Sequence, residues 1–145
     1  MTLEYCIEFA NKYPDCAFAT CDRHGPHVRY MTLGFADTSG FYFNTMISKA
    51  LYRQVVKNPK VELCFHRDEP IGEGAYLEML RVHGTVEILD DPDLFPRFIK
   101  KGRYFGVSAE MPRSALVFFR IKDGEVWIWY DWDELKEEDI PKVKF

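Results

Sequence analysis

The segment Phe43-Asn44-Thr45-Met46-Ile47-Ser48-Lys49 sets two hydroxyls and an ammonium where an aromatic strand gives way to a helix start. A helix N-terminus offers free N–H groups and a favourable dipole to a phosphate. Lysine adds charge, and Ser or Thr adds directed hydrogen bonds. The chemistry this spacing suits is anion binding, of the kind that holds the terminal phosphate of a cofactor. An ordinary cap at Ser48 beside a solvated Lys49 uses the same residues, so the segment alone leaves both readings open. Arg29 is the second position of interest. It stands in a strand between Val28 and Tyr30, where a guanidinium must reach solvent, a partner or an anion. Arg53 and Lys57 follow on the next helix, either extending a positive field or forming its wet face.

Other chemistries find little support. Gly72-Glu73-Gly74 lacks the third glycine and the βαβ context of a dinucleotide loop. No HExxH, GxSxG or P-loop lysine motif occurs. Asp90 and Asp91 precede Pro92 and read as a helix cap rather than an acid–base pair. The cysteines Cys6, Cys16, Cys21 and Cys64 form no CxxC. They are expected to be reduced and to behave as small hydrophobes, with no metal site.

The elements that must position these residues follow from period and punctuation. Thr2 caps a helix over 3–12, stopped by Pro14. Residues 16–21 form a strand, Asp22-Arg23-His24-Gly25 a tight turn, and 26–36 the returning strand. His27, Arg29 and Met31 share one face of it; Val28, Tyr30 and Thr32 share the other. A turn over 37–40 leads into a strand over 41–45. Ser48 is expected to cap a helix over 49–57, ended by Asn58-Pro59. A strand over 61–66 and a loop over 67–74 precede a long strand over 76–89, bent at Gly84. A helix begins at Asp91-Pro92, with Leu94, Phe95, Phe98 and Ile99 facing the core and Pro96 disturbing it. Residues 115–121 and 126–130 read as a final hairpin around Lys122-Asp123-Gly124. Trp127 and Trp129 share a face there, suited to either the core or a subunit interface; Trp132 lies in a tail, 131–145, with no clear pattern.

The chain has 145 residues, 47% hydrophobic and 29% charged, which excludes a disordered chain and argues for one domain over 1–145. A net charge of −4 disfavours a nucleic-acid-coating role. There is no basic leader followed by an apolar run and no uncharged stretch of spanning length, so a cytoplasmic chain without a membrane partner is expected. Six or seven largely antiparallel strands in one small domain favour a closed or partly closed barrel with helices over it.

The order of segments resembles the pyridoxamine 5'-phosphate oxidase-like family of FMN-binding split barrels. The resemblance rests on Phe18-Ala19-Thr20-Cys21, His27-Val28-Arg29-Tyr30-Met31, Phe41-Tyr42-Phe43-Asn44-Thr45 and Ser48-Lys49. It continues through Tyr52-Arg53-Gln54, Lys57-Asn58-Pro59-Lys60-Val61-Glu62-Leu63 and Arg81-Val82-His83-Gly84-Thr85-Val86. It implies a mainly β chain with peripheral helices, a six- or seven-stranded antiparallel split barrel, and a homodimer with FMN at the subunit interface. Arg29 and the backbone of Tyr30, Met31 and Thr32 would border the ring and phosphate region. Asn44 and Thr45 would line the next strand of the site, and Ser48 and Lys49 would meet the phosphate. No catalytic residue is assigned, because the flavin would carry the redox chemistry. Residues 131–145 offer no match to the arginine- and histidine-bearing motif of the biosynthetic oxidases. The resemblance therefore implies an FMN-dependent oxidoreductase, or flavin reductase, acting on another small molecule, with NADH or NADPH as a candidate donor. A non-enzymatic flavin- or haem-binding storage or sensing protein is the alternative.

Overall fold

A computed structural model describes residues 1–67, 69, 77–100, 112–130 and 136–145. Helix α1 (Leu3–Lys12) starts where the Thr2 hydroxyl accepts the Tyr5 N–H at 3.3 Å, and it buries Cys6, Phe9 and Ala10. Strands β1 (Asp15–Asp22) and β2 (Gly25–Thr32) form the first hairpin. After β3 (Phe35–Asp37) and β4 (Gly40–Met46) comes helix α2 (Ala50–Lys57). Strands β5 (Lys60–His66) and β6 (Glu78–Leu89) are followed by helix α3 (Leu94–Lys100), β7 (Leu116–Tyr130) and the two-residue β8 (Val143–Lys144).

The strands join in one antiparallel sheet of order β2-β1-β5-β6-β7-β4-β3, with β8 added beside β7. The path of seven plus β8 makes eight strands, one more than the sequence reading allows, because β8 is too short to register as a pattern. The end strands of this path, β2 and β3, are joined by Leu33 and Gly34 alone. Laid flat, seven strands would separate those ends by roughly 29 Å, whereas two linking residues span at most about 11 Å. The sheet must therefore curl almost to closure. Its seam is a chain continuation and side-chain packing rather than a hydrogen-bonded ladder, which is a split barrel. Phe18 of β1 and Phe43 of β4, not sheet neighbours, meet edge to face at 5.5 Å inside it.

Three sequence expectations change. The strand expected over 26–36 breaks at Leu33-Gly34, whose N–H groups donate to Pro14 and Tyr42 carbonyls as the chain crosses the seam. Gly34 is needed there, since a Cβ would lie 2.1 Å from the Phe98 ring. The expected final hairpin is a single strand. β6 pairs with β7 from Glu78↔Tyr130 to Leu89↔Phe118, with a register shift between His83 and Thr85. Asp123 and Gly124 are therefore a bulge opposite Gly84, with Asp123 at φ 52°. Turn chemistry and bulge chemistry both call for a residue at positive φ, and pattern alone does not separate them. In α3, Leu94 and Phe98 are buried but Ile99 is exposed. Pro96 is its third residue, where the backbone N–H would lack an intrahelical partner anyway.

Trp127 is also settled. It is 4% exposed, covered by Arg81 and Lys142 at 5.3 and 4.6 Å from its ring. It belongs to this chain's own packing, while Trp132 lies outside the described residues. The residues 136–145 work as a strap. Glu137 pairs with Arg81 at 3.0 Å, and Phe145 exchanges backbone hydrogen bonds with Gly124 and meets the Phe41 ring edge-on. Among the described residues no helix is long and apolar enough to cross a membrane, and no group of His, Cys, Asp or Glu is placed to hold a metal. All four cysteines are free; Cys6 and Cys16 are fully buried.

Candidate functional site

β2 is an edge strand with two unlike faces. Val28 and Tyr30 are 68% and 81% exposed, whereas Arg29 turns the other way toward α2. Alternation along the strand produces this split. Arg29 Nη1 donates to the Thr20 hydroxyl at 2.8 Å, and its Nη2 donates to the Gln54 side-chain oxygen at 2.6 Å. The Thr20 hydroxyl in turn donates to the same Gln54 oxygen at 2.8 Å. β1, β2 and α2 are thus tied by one polar knot. Burial pulls the Arg29 guanidinium below its usual value.

The electrostatics of this arginine are unusual for the chain. Among the described residues, the half-buried arginines are Arg29, Arg67, Arg81 and Arg120. Arg67 pairs with Glu78, Arg81 with Glu62 and Glu137, and Arg120 with Glu87. Among the described residues Arg29 has neutral oxygens only: Thr20, Gln54 and, at 3.4 Å, the Phe18 carbonyl. Taking a cation partly out of water without a counter-charge is costly. A group in that position is predisposed to accept an anion.

The other expected site residues lie on two further elements. Thr45 is buried on β4, with Asn44 half-buried beside it and opposite Phe118 on β7. Ser48 and Lys49 are exposed in the turn between β4 and α2. Ser48 is not the helix cap. Lys49 holds that position, with an extended backbone and no side-chain capping bond, and its N–H donates to the Met46 carbonyl at 3.0 Å. The chain takes one more residue to turn than the pattern suggests, so the Ser48 carbonyl is left to accept Arg53 Nη1 at 2.9 Å. Among the described residues no side chain accepts from the first N–H groups of α2, the condition in which a helix start receives an external anion. Gln54 lies five residues after Lys49, roughly 7.5 Å along the axis, so α2 carries both its uncapped start and the anchor of Arg29.

Tyr30, Met31 and Thr32 line a separate, shallow cavity of about 390 Å³ with Asp15. Thr32 donates to the Asp15 carboxylate at 2.5 Å. The structure therefore brings Arg29 to α2, sets Asn44 and Thr45 on the strand leading into it, and turns Tyr30 to the opposite face. Thr20 and Gln54 did not stand out in the sequence as site residues. Their signal is a polar type at an inward position: Thr20 continues the Cys16, Phe18 alternation, and Gln54 sits between Leu51 and Val55 on the buried side of α2.

The seam, the peripheral helices and the all-antiparallel sheet define the class as a split β-barrel. Residues 4–130 match the model of the pyridoxamine 5'-phosphate oxidase family, and the chain belongs to that family. It is 34% identical over 100 residues to the pyridoxine/pyridoxamine 5'-phosphate oxidase of Anaeromyxobacter dehalogenans, covering 68% of this chain and 48% of that one. The chain spans about half the length, or less, of the curated relatives it matches. Among solved structures it resembles General Stress Protein 26 from Bacillus anthracis, with a TM-score of 0.70, 18% identity and full coverage of both chains. It also resembles the heme storage protein HutZ from Vibrio cholerae, with a TM-score of 0.61 and 21% identity over 83% of this chain and 89% of that one. At these identities the structural likeness is one of fold.

Proposed function

We propose that the chain is an FMN-binding oxidoreductase acting on a small molecule other than pyridoxamine phosphate, with NADH or NADPH as electron donor. One observation carries the reading: Arg29 is a half-buried cation anchored by neutral groups, beside a helix whose start has no cap. That is the donor set a phosphate monoester requires. Arg29, Ser48, Lys49 and the first N–H groups of α2 would hold the phosphate. Asn44, Thr45 and the backbone of Tyr30, Met31 and Thr32 would border the ring. The flavin, when bound, supplies the redox chemistry, and the protein binds and orients it.

We further propose a cytoplasmic homodimer with the flavin at the subunit interface. Val28 and Tyr30 project from the outer face of β2, next to the small Ala17 and Ala19 of β1. The same register row runs from Tyr30 through Ala17, Cys64 and Arg81 to Trp127. An apolar edge beside a polar, charge-paired stretch is the composition of an interface core and rim. Sedimentation at low micromolar concentration should give twice the chain mass; a monomer that binds flavin fully would reject a shared site.

The deciding experiment is an absorption spectrum of the purified protein with mass analysis of the released ligand. A flavin band and the FMN mass support the reading, and turnover of bound flavin by NADH or NADPH separates an enzyme from a carrier. A Soret band would instead favour haem storage or sensing.

A further inference from the structure

We infer that Gln54, with Thr20, is the positioning residue that aims Arg29 at an anionic ligand while leaving its charge uncompensated. This rests on the reading of Arg29 as a phosphate contact. The Gln54 oxygen accepts from Arg29 Nη2 at 2.6 Å and from Thr20 at 2.8 Å, while Thr20 accepts from Arg29 Nη1 at 2.8 Å. Each member fixes the other two. Two acceptors at set positions determine the plane of the guanidinium, which is rigid and planar. Arg29 has five N–H donors; the knot and the Phe18 carbonyl take those on one side, leaving Nε–H and the second Nη2–H for a ligand.

The residue type matters as much as its place. Gln54 is 8% exposed and Thr20 is 3% exposed. A glutamate at 54 would accept the same two hydrogen bonds and would relieve the partly buried cation directly. That is how Arg67, Arg81 and Arg120 are satisfied elsewhere in this chain. A neutral amide supplies geometry without the counter-charge. The cation is then left for whatever binds. An anchoring residue chosen for stability alone has no reason to be neutral here; one chosen to present charge does.

The test compares FMN with riboflavin, which lacks the phosphate, by fluorescence quenching of the full chain. In wild type the affinity ratio of FMN to riboflavin is expected to be large. Gln54→Glu keeps the hydrogen-bond acceptors but cancels the charge, so the ratio should fall about tenfold or more while riboflavin affinity barely moves. Gln54→Met, close in volume and unable to anchor the guanidinium, should lower the ratio less than Gln54→Glu does. A purely structural role predicts the reverse order, because Glu preserves the knot and Met destroys it. A ratio within about twofold of wild type in Gln54→Glu, with FMN still bound, overturns the inference and leaves the flavin reading standing. Wild type that binds neither ligand overturns both. Should Gln54→Glu fail to fold, Thr20→Val serves instead. It removes one leg of the knot, should lower the ratio severalfold, and rejects the inference if the ratio is unchanged.

Discussion

Phe18 and Phe43 meet edge to face across the barrel interior, 5.5 Å apart with their rings at 83°, although β1 and β4 share no hydrogen bond. Phe119 completes the group, 6.0 Å from Phe18 and stacked on Phe43 at 5.8 Å. All three are fully buried. The barrel is therefore held across its interior by ring contacts rather than by a complete ladder. Thr20 is two residues along the same inward face of β1 as Phe18.

Phe18→Ala should cost about 3–5 kcal/mol, the usual loss for a fully buried phenylalanine. Chemical denaturation reads this directly. Because the seam and the Arg29 anchor share β1, FMN and riboflavin affinities should fall together in this variant, unlike in variants of the anchor itself.

Lys49→Ala should separate the two ligands. Lys49 is exposed and caps nothing with its side chain, so its loss should leave stability within about 0.5 kcal/mol. If Lys49 meets the phosphate, the contact is worth about 1.5–3 kcal/mol, or roughly 10- to 150-fold in FMN affinity, with riboflavin unaffected. An unchanged ratio would leave Lys49 as a solvated residue at a helix start.

The β7 bulge makes two neighbouring residues respond oppositely. A Cβ on Gly124 would lie 1.9 Å from the His83 carbonyl oxygen, so Gly124→Ala must push backbone from backbone. The expected cost is about 1–3 kcal/mol or more, seen as a lower melting temperature. At Asp123, held at φ 52°, Gly should be tolerated, whereas Val should destabilise by about 1 kcal/mol or more, since β-branched residues resist that region.

Thiol chemistry should sort the cysteines by depth. Cys21 is exposed and should react with a thiol reagent in the native state; Cys6 and Cys16 should react only on unfolding. Burial pushes the Cys6 thiol up to about 11 from an ordinary value of 9.0 and pushes Cys16 up further. Between pH 9 and 11 the unfolded chain has lost protons that the folded chain keeps at Cys6, so stability falls as pH rises through that window. Replacing Cys6 with Ala should flatten part of the decline in denaturation midpoints measured across it.

Much of this was legible in the chain itself. Period and punctuation located α1, the first hairpin, β5 and the bend at Gly84, because each is a local event written in adjacent residues. The final strand is not legible, because Lys122-Asp123-Gly124 satisfies a turn equally well, and only β6 lying alongside decides between turn and bulge. The helix start falls one residue beyond Ser48, because the turn after β4 takes an extra residue before α2 begins. At the site, Arg29 and Lys49 were visible as isolated charges. The Gln54–Thr20 anchor was not, since it joins residues 34 positions apart and declares itself only once α2 lies over β1.

The order of strands has a consequence for how the chain assembles. β7 pairs with both β6 and β4, and without it the path separates into β2-β1-β5-β6 and the hairpin β4-β3. Until residues 116–130 leave the ribosome, each fragment has an open edge, at β6 and at β4, of the kind that pairs with other chains. Phe43 must then find Phe119, and loop closure over such separations is slow. Joining two preformed pieces with one late strand should make refolding a millisecond-to-second process. The interval before β7 docks is when the chain is most exposed to aggregation, so refolding yield should drop steeply with protein concentration.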